Sequence, residues 1–392
     1  MKTLVDILNV NGEASCLTTS AWLRILGGKS ESVFCQWLGL YVKHKKKATL
    51  GLTGSTVVEL AKFNPEAIEF INLHPEIFEI IVRPFSHDVA LLRTSEGFRK
   101  NLEIGWKVIE KEFRRISLFF LPPEFMLTNE QVSYLRSRGI QAVFINSSRF
   151  PEEIRDRIPQ GPYQVQGTGG VTLGCIPVVG ELTRGYLSAL QNYAAGDWNN
   201  RIRRIKQPVI FSWRDGESPF LIPDGLSREA FWLASESKEF GRKHLRDLKL
   251  DYLESGRLSE ATYKSYPVHS FSAWMEGFRM LGFIKRVGRI ETEVKSLTQD
   301  QLVLWLEVIG SDILSSVEKK SPLVRLKLGP RKAKYQQYVI RRSERGFEGE
   351  EYLCFLEQLL QGKGLPPQAL QADEAHILRL RKKIEYFSGL KV

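Results

Sequence analysis

The stretch RRISLFFLPPEFMLTNEQVSYLRSRGIQAVFI, residues 114–145, decides the fold. Its first half carries an apolar run ending in Leu121, which stops at Pro122-Pro123-Glu124. Thr128 then stands as an N-cap with Gln131 three positions on, the capping-box spacing that opens a helix. Gly139 follows, and a second apolar run begins at Ala142. Strand, helix, strand in so short a space describes a parallel βαβ unit, because parallel neighbours need a crossover connection.

The same rhythm extends outward. Strands are predicted over 3–9, 78–83, 116–121, 142–146, 170–179 and 208–213, with helical period over 55–63, 96–113 and 129–138. An α/β repeat of this length can close into a parallel barrel, whose working residues sit just past the C-terminal ends of its strands. From residue 227 the texture changes. SREAFWLASESKEFGRKHLRDLKLDYLES, with Ser227 as N-cap, reads as one long helix or two short ones. Further helices are expected over 296–313, 348–360 and 373–387, with GKGLPPQALQADE joining the last. The expected organisation is a barrel over residues 1–225 and a mainly helical unit over 226–392 packed on it.

Composition bounds the rest. At 392 residues, 43% hydrophobic and 26% charged, the chain has the make-up of a globular protein. No apolar run is long enough to span a bilayer, and MKTLVDILNVNGEASC carries Asp6 and Glu13 where a secretion signal would be apolar. A cytoplasmic location is therefore expected. Cys16, Cys35, Cys175 and Cys354 lie far apart with no CxxC, which reads as reduced thiols without disulfides or zinc. The net charge of +11 would attract polyanions, whether nucleic acid, anionic membrane or acidic polysaccharide. Its clusters (43–47, 201–206, 242–249 and 325–334) also read as solvated helix faces and loops, and no nucleic-acid motif accompanies them.

Two acids stand immediately after apolar strand candidates. Glu124 is placed by two rigid prolines, and QPVIFSWRDGESPFLIPDG (207–225) delivers Asp215-Gly216-Glu217. Either acid alone reads as a solvated loop carboxylate. A pair on two strand ends of one barrel suits glycosidic bond cleavage, in which one carboxylate attacks or activates water and the other protonates the leaving oxygen.

These segments resemble glycoside hydrolase family 57. PPEFMLTNEQVSYLRSRGIQAVFI is similar to the family's nucleophile motif, and Asp215-Gly216-Glu217 to the segment whose Asp is the general acid/base, in the same chain order. FEIIVRPFSHDVALL (78–92) resembles the family segment in which a strand runs into a His-bearing turn. Residues 146–150 take the place of a following strand-end loop, and YPVHSFSAWMEGF (266–278) resembles a segment lending an aromatic to the cleft. The resemblance runs from Thr3 to Phe278. It implies a distorted (β/α)7 barrel followed by a helical domain, a retaining mechanism, Glu124 as nucleophile and Asp215 as acid/base. It implies substrate contacts at Asn9, Asn11, Glu13, Glu79, His87, Arg149, Trp213, Glu217 and Trp274, and needs no cofactor.

The chain also departs from the family. Asn9-Val10-Asn11-Gly12-Glu13 stands where a His-x-His-Gln-Pro pattern is usual, Leu121-Pro122-Pro123 where a Trp is common, and Asn146-Ser147-Ser148-Arg149 where an Asp is common. Asparagine can hydrogen-bond a sugar hydroxyl but cannot be protonated. The catalytic pair is kept while the sugar-binding frame is altered, which points to a glycan other than starch or glycogen, or to lost activity. Trp213 and Trp274 can stack on a pyranose face or sit in the core, and His87 can contact substrate or serve as a structural histidine. Arg83, Arg149 and Arg184 near strand ends could form a fork for an acidic glycan. A metal-dependent deacetylase would need a second His shortly after His87, where Ala90 and Leu91 stand, so no metal is expected. Three readings follow: a retaining α-glycosidase or transglycosylase, an inactive barrel that binds a glycan or protein, and, on charge alone, a nucleic-acid-associated protein.

Overall fold

The computed structural model describes residues 2–12, 19–146, 162–193, 195–252, 255–257, 278–310, 317, 349–363 and 374–390. In chain order the first part runs β1 (Lys2–Val10), α1 (Thr19–Leu26), α2 (Val33–Lys43), β2 (Ala48–Leu52), α3 (Gly54–Phe63), α4 (Pro65–Leu73), β3 (Phe78–Val82) and α5 (Ser95–Glu112). It continues β4 (Ile116–Phe120), α6 (Asn129–Ser137), β5 (Ala142–Asn146), β6 (Tyr163–Gln166), β7 (Thr172–Val178), α7 (Gly180–Asn192), α8 (Ala195–Arg204) and β8 (Val209–Asp215). The remainder is α9 (Gly225–Ser235), β9 (Phe240–Arg242), β10 (Ser255–Arg257), α10 (Phe278–Glu291), α11 (Gln299–Val308), α12 (Gly349–Leu360) and α13 (Glu374–Ser388).

The sheet order is β10-β6-β7-β5-β4-β3-β2-β1-β8, with β9 beside β1. Strands β1 to β5, β7 and β8 pair in parallel, while β6 joins β7 antiparallel. The ends of this run approach each other where the Val179 N–H donates to the Phe211 carbonyl at 3.2 Å. The result is a distorted (β/α)7 barrel with a seam between β7 and β8. Period-two alternation sorts each strand's side chains. Val5, Ile7, Ile81, Phe119, Ala142, Phe144, Ile176 and Phe211 form an inner cluster, while Leu4, Leu8, Leu50 and Ile80 face the helices. Burial on both faces is why these strands read as continuous apolar runs.

Polar groups fill both ends of the barrel. At the N-terminal end the Glu79 carboxylate accepts from Thr49 Oγ1 (3.0 Å), Ser117 Oγ (2.6 Å) and the backbone N–H groups of Leu245 (2.7 Å) and Arg246 (3.0 Å). On the outer face Arg214 bonds Asp6 (3.0 Å) and Glu229 (3.1 Å), and Arg242 bonds Asp6 (2.8 Å) and Glu236 (2.8 Å). Burial would push the Asp6 carboxyl up, but the two guanidiniums hold it below the usual carboxylate range.

Helices α10 to α13 share one hydrophobic core with the barrel strands and the helices around them. Glu291 of α10 binds Arg93 at 2.6 Å and caps α5 by accepting from the Thr94 N–H at 2.8 Å. Glu59 of α3 pairs with Arg379 (2.6 Å) and Lys383 (3.3 Å) of α13. Among the described residues no helix is long and apolar enough to cross a membrane.

Two expectations are corrected. The segment from Ser227, expected as one long helix or two short ones, holds only the single helix α9, which starts at Gly225 with Asp224 at the N-cap position in left-handed backbone (φ 57°). The chain then leaves helix because Phe240 pairs with Lys2 at the start of β1, a tertiary contact that overrides good helix formers. Short β2 escaped the sequence reading, and sheet elements recur beyond residue 225 as β9 and β10.

Candidate active site

The strand ends gather the expected acids at the C-terminal rim. After β4, Pro122 and Pro123 lead into a single tight turn that carries Glu124 at φ 52°, ψ 12°, with Phe125 at φ 53°. Two consecutive non-glycine residues in left-handed backbone cost about 1–2 kcal/mol each, so their surroundings must hold them. Phe125 does so by packing inside the barrel edge-to-face on Trp213, ring centroids 5.0 Å apart. The Leu121 N–H reaches the Val82 carbonyl at 3.2 Å. Strain of this kind, over-determined by its frame, concentrates at functional sites.

Asp215 ends β8 beside Asn9 of β1, its register partner. Asn9 Nδ2 donates to Asp215 Oδ1 at 3.2 Å, and the Gly216 N–H donates to the Asn9 carbonyl at 2.7 Å. A Cβ on Gly216 would lie 2.7 Å from Val10 Cγ2, so only glycine lets the two strand ends approach this closely. Glu217 and Asn11 are buried at the same rim.

Arg83, the residue after β3, lies at the centre and is buried. Its Nη1 donates to the Leu121 carbonyl at 2.9 Å, and its Nη2 lies 3.1 Å from His87 Nδ1. His87 Nε2 lies 3.3 Å from Glu124 Oε1. Burial lowers the Arg83 pKa to about 10, while the negative charges of Glu217, Asp88, Glu124 and Asp215 oppose that fall. It is therefore a cation at neutral pH within the field of four carboxylates. Its two terminal nitrogens are engaged by the Leu121 carbonyl and His87, within the protein's own frame.

The turn that bears His87 is clamped from outside the barrel. The Ser86 hydroxyl donates to the Leu306 carbonyl of α11 at 2.5 Å, and the Ser86 N–H to Asn101 Oδ1 at 2.9 Å. Asp88 bridges Gly310 through its backbone. The Asp88 side chain is buried, and burial pushes its carboxyl up to about 6 although Arg93 and the Asn101 amide pull it down.

The structure thus brings together Asn9, Asn11, His87, Glu124, Trp213, Asp215 and Glu217. Trp213 is 7% exposed and packs as a floor beneath the acids, leaving little ring face for a sugar. Glu79 is not brought to this rim: it sits at the opposite end of the barrel, its carboxylate occupied by four donors. Glu13, Arg149 and Trp274 lie outside the described residues, and Arg184 lies on α7. Sequence reasoning missed Phe125 as a clamp and Arg83 as a counter-ion. The available signal was an arginine closing the apolar run FEIIV. Among the described residues no group of three or more His, Cys, Asp or Glu could hold a metal.

Comparisons with known proteins agree with this layout. The family model described as glycosyl hydrolase family 57 matches residues 20–237, more than half of the chain. The GH57-type branching enzyme of the hyperthermophilic archaeon Pyrococcus horikoshii superposes with a TM-score of 0.64 at 11% identity, over 99% of this chain and 95% of that one. The α-amylase AmyC of Thermotoga maritima gives 0.58 at 10% identity, over 99% and 98%. The 4-α-glucanotransferase of Thermococcus litoralis gives 0.57 at 14% identity over 80% of this chain, which spans 56% of that protein. No curated protein sequence matches the chain.

Proposed function

The chain belongs to glycosyl hydrolase family 57, and from that premise we propose that it is a retaining glycoside hydrolase or glycan transferase, with Glu124 as nucleophile and Asp215 as acid/base. The observation that carries this reading is that the two acids end different strands on one rim, their neighbours Phe125 and Trp213 packing with ring centroids 5.0 Å apart. The barrel is the catalytic unit, the described helices α10 to α13 pack on it, and β9 and β10 reach back to the sheet.

A Glu124 carboxylate oxygen forms a bond to the anomeric carbon as the glycosidic C–O bond breaks, and Asp215 gives its proton to the departing oxygen. Water or a sugar hydroxyl then attacks the same carbon. Asp215 takes the incoming proton, and the Glu124 ester bond breaks to restore the carboxylate. Asn9 holds Asp215 Oδ1 throughout, and Trp213 with Phe125 forms an apolar floor.

Asn9 and Asn11, in place of the family's histidines, favour a glycan other than starch or glycogen. The net charge of +11 is the reason to include acidic glycans among the candidates. The test is turnover of α-linked neutral and acidic oligosaccharides by the native protein, Glu124→Gln and Asp215→Ala. Glu124→Gln should be inactive. Asp215→Ala should regain turnover with azide and release a glycosyl azide of retained configuration. Full activity in Glu124→Gln would refute the assignment. Glycan binding with no turnover of any substrate would favour the non-catalytic reading instead, which the replaced histidines support.

A further inference from the structure

We propose that Arg83 is a positioning residue that fixes the tautomer of His87 and, through it, the direction of the Glu124 carboxylate. The catalytic meaning of this arrangement rests on reading Glu124 as the nucleophile, but its geometry does not. A guanidinium has only donors. With Arg83 Nη2 at 3.1 Å, His87 Nδ1 must present its lone pair and accept. A neutral ring then carries its proton on Nε2, the nitrogen that faces Glu124 Oε1 at 3.3 Å. A proton on Nδ1 would set an N–H against a guanidinium N–H, so the contact with Arg83 selects the ring form whose Nδ1 is bare.

The other arm of Arg83 ties the same assembly to the backbone. Nη1 holds the Leu121 carbonyl at 2.9 Å, three residues before Glu124 on the strained segment. One side chain therefore anchors both the strand end that carries the acid and the ring that orients it. Gly51 on β2 makes room: a Cβ there would lie 2.8 Å from Leu121 Cδ2 and 3.5 Å from Arg83 Cδ. Lysine could not replace this fork, since it offers a point charge in place of two donors in a fixed plane.

The test reads the ring directly. Protein labelled with ¹⁵N-histidine is examined by imidazole ¹H–¹⁵N correlation near neutral pH, with His87 assigned from His87→Gln. The expected pattern is a pyridine-type Nδ1 and a pyrrole-type Nε2 in the native protein. Arg83→Lys, which keeps the charge where Arg83→Met could fail to fold, should shift the ring toward a mixture of tautomers. On an established substrate it should lower kcat by roughly 100-fold with little change in KM, as misplacement of a reacting group does. A protonated Nδ1 in the native protein, or an unchanged ring in Arg83→Lys, overturns the proposal. The expected tautomer in a protein without turnover would support it and count only against Glu124 as nucleophile.

Discussion

Asp88→Asn should stabilise the folded protein at neutral pH and lose that advantage in acid. The Asp88 carboxyl, ordinarily near 3.8, is pushed up to about 6 by burial beside the His87 turn. The folded state therefore holds a proton that the unfolded chain releases. This group's contribution is most favourable below pH 3.8 and is lost as pH rises through 6. At about 1.4 kcal/mol per pH unit, the ionised carboxyl costs the folded state about 3 kcal/mol above that range. Asparagine mimics the protonated acid, and its oxygen can still accept from Asn101. Its amide would replace Oδ2, which has no hydrogen-bond partner, and an unmatched buried donor returns about 1 kcal/mol of that gain. A net stabilisation of about 2 kcal/mol is expected at about pH 7.5, vanishing at about pH 4.5 and turning slightly negative in stronger acid. Urea unfolding of the two proteins at both pH values measures it, and taking the difference removes the acid-labile pairs they share. A variant no more stable than the native protein at the higher pH, or a difference that does not change with pH, would refute the reasoning.

Two further outcomes separate the two ends of the barrel. Glu79→Gln places an amide against two backbone N–H donors and should cost about 2–4 kcal/mol of stability while leaving kcat per folded molecule unchanged; a selective loss of kcat would return Glu79 to the site. Gly216→Ala forces a methyl toward Val10 Cγ2 at 2.7 Å and should cost about 1–3 kcal/mol. It should also lower kcat through the Asn9–Asp215 pair. Calorimetry and turnover assays check both effects, and unchanged stability and rate in Gly216→Ala would count against a close approach of the two strand ends.

The parts of the fold legible in sequence were those fixed by neighbours in the chain. Thr128 and Gln131 form the capping box their spacing announced, and Glu124 and Asp215 follow strands as apolar runs ending in turns foretold. What stayed hidden depends on residues far away in sequence. Arg83 acquires its meaning from Leu121, and the helix read from Ser227 is cut short by the pairing of Phe240 with Lys2. Glu79 could have been placed better. As the second residue of its strand it belongs at the barrel's N-terminal end, away from the rim where chemistry is done.

The clasp between Ser86 and Leu306 joins residues 220 positions apart. A ribosome releasing this chain would present the barrel strands, both acids and Arg83 long before α11 arrives to hold the His87 turn. Long-range contacts of this kind form late, because chain entropy must be lost before they return anything. The clamp on the His87 turn is then made late, so an incomplete chain lacking α11 would carry its carboxylates without the hold on the turn that bears the histidine.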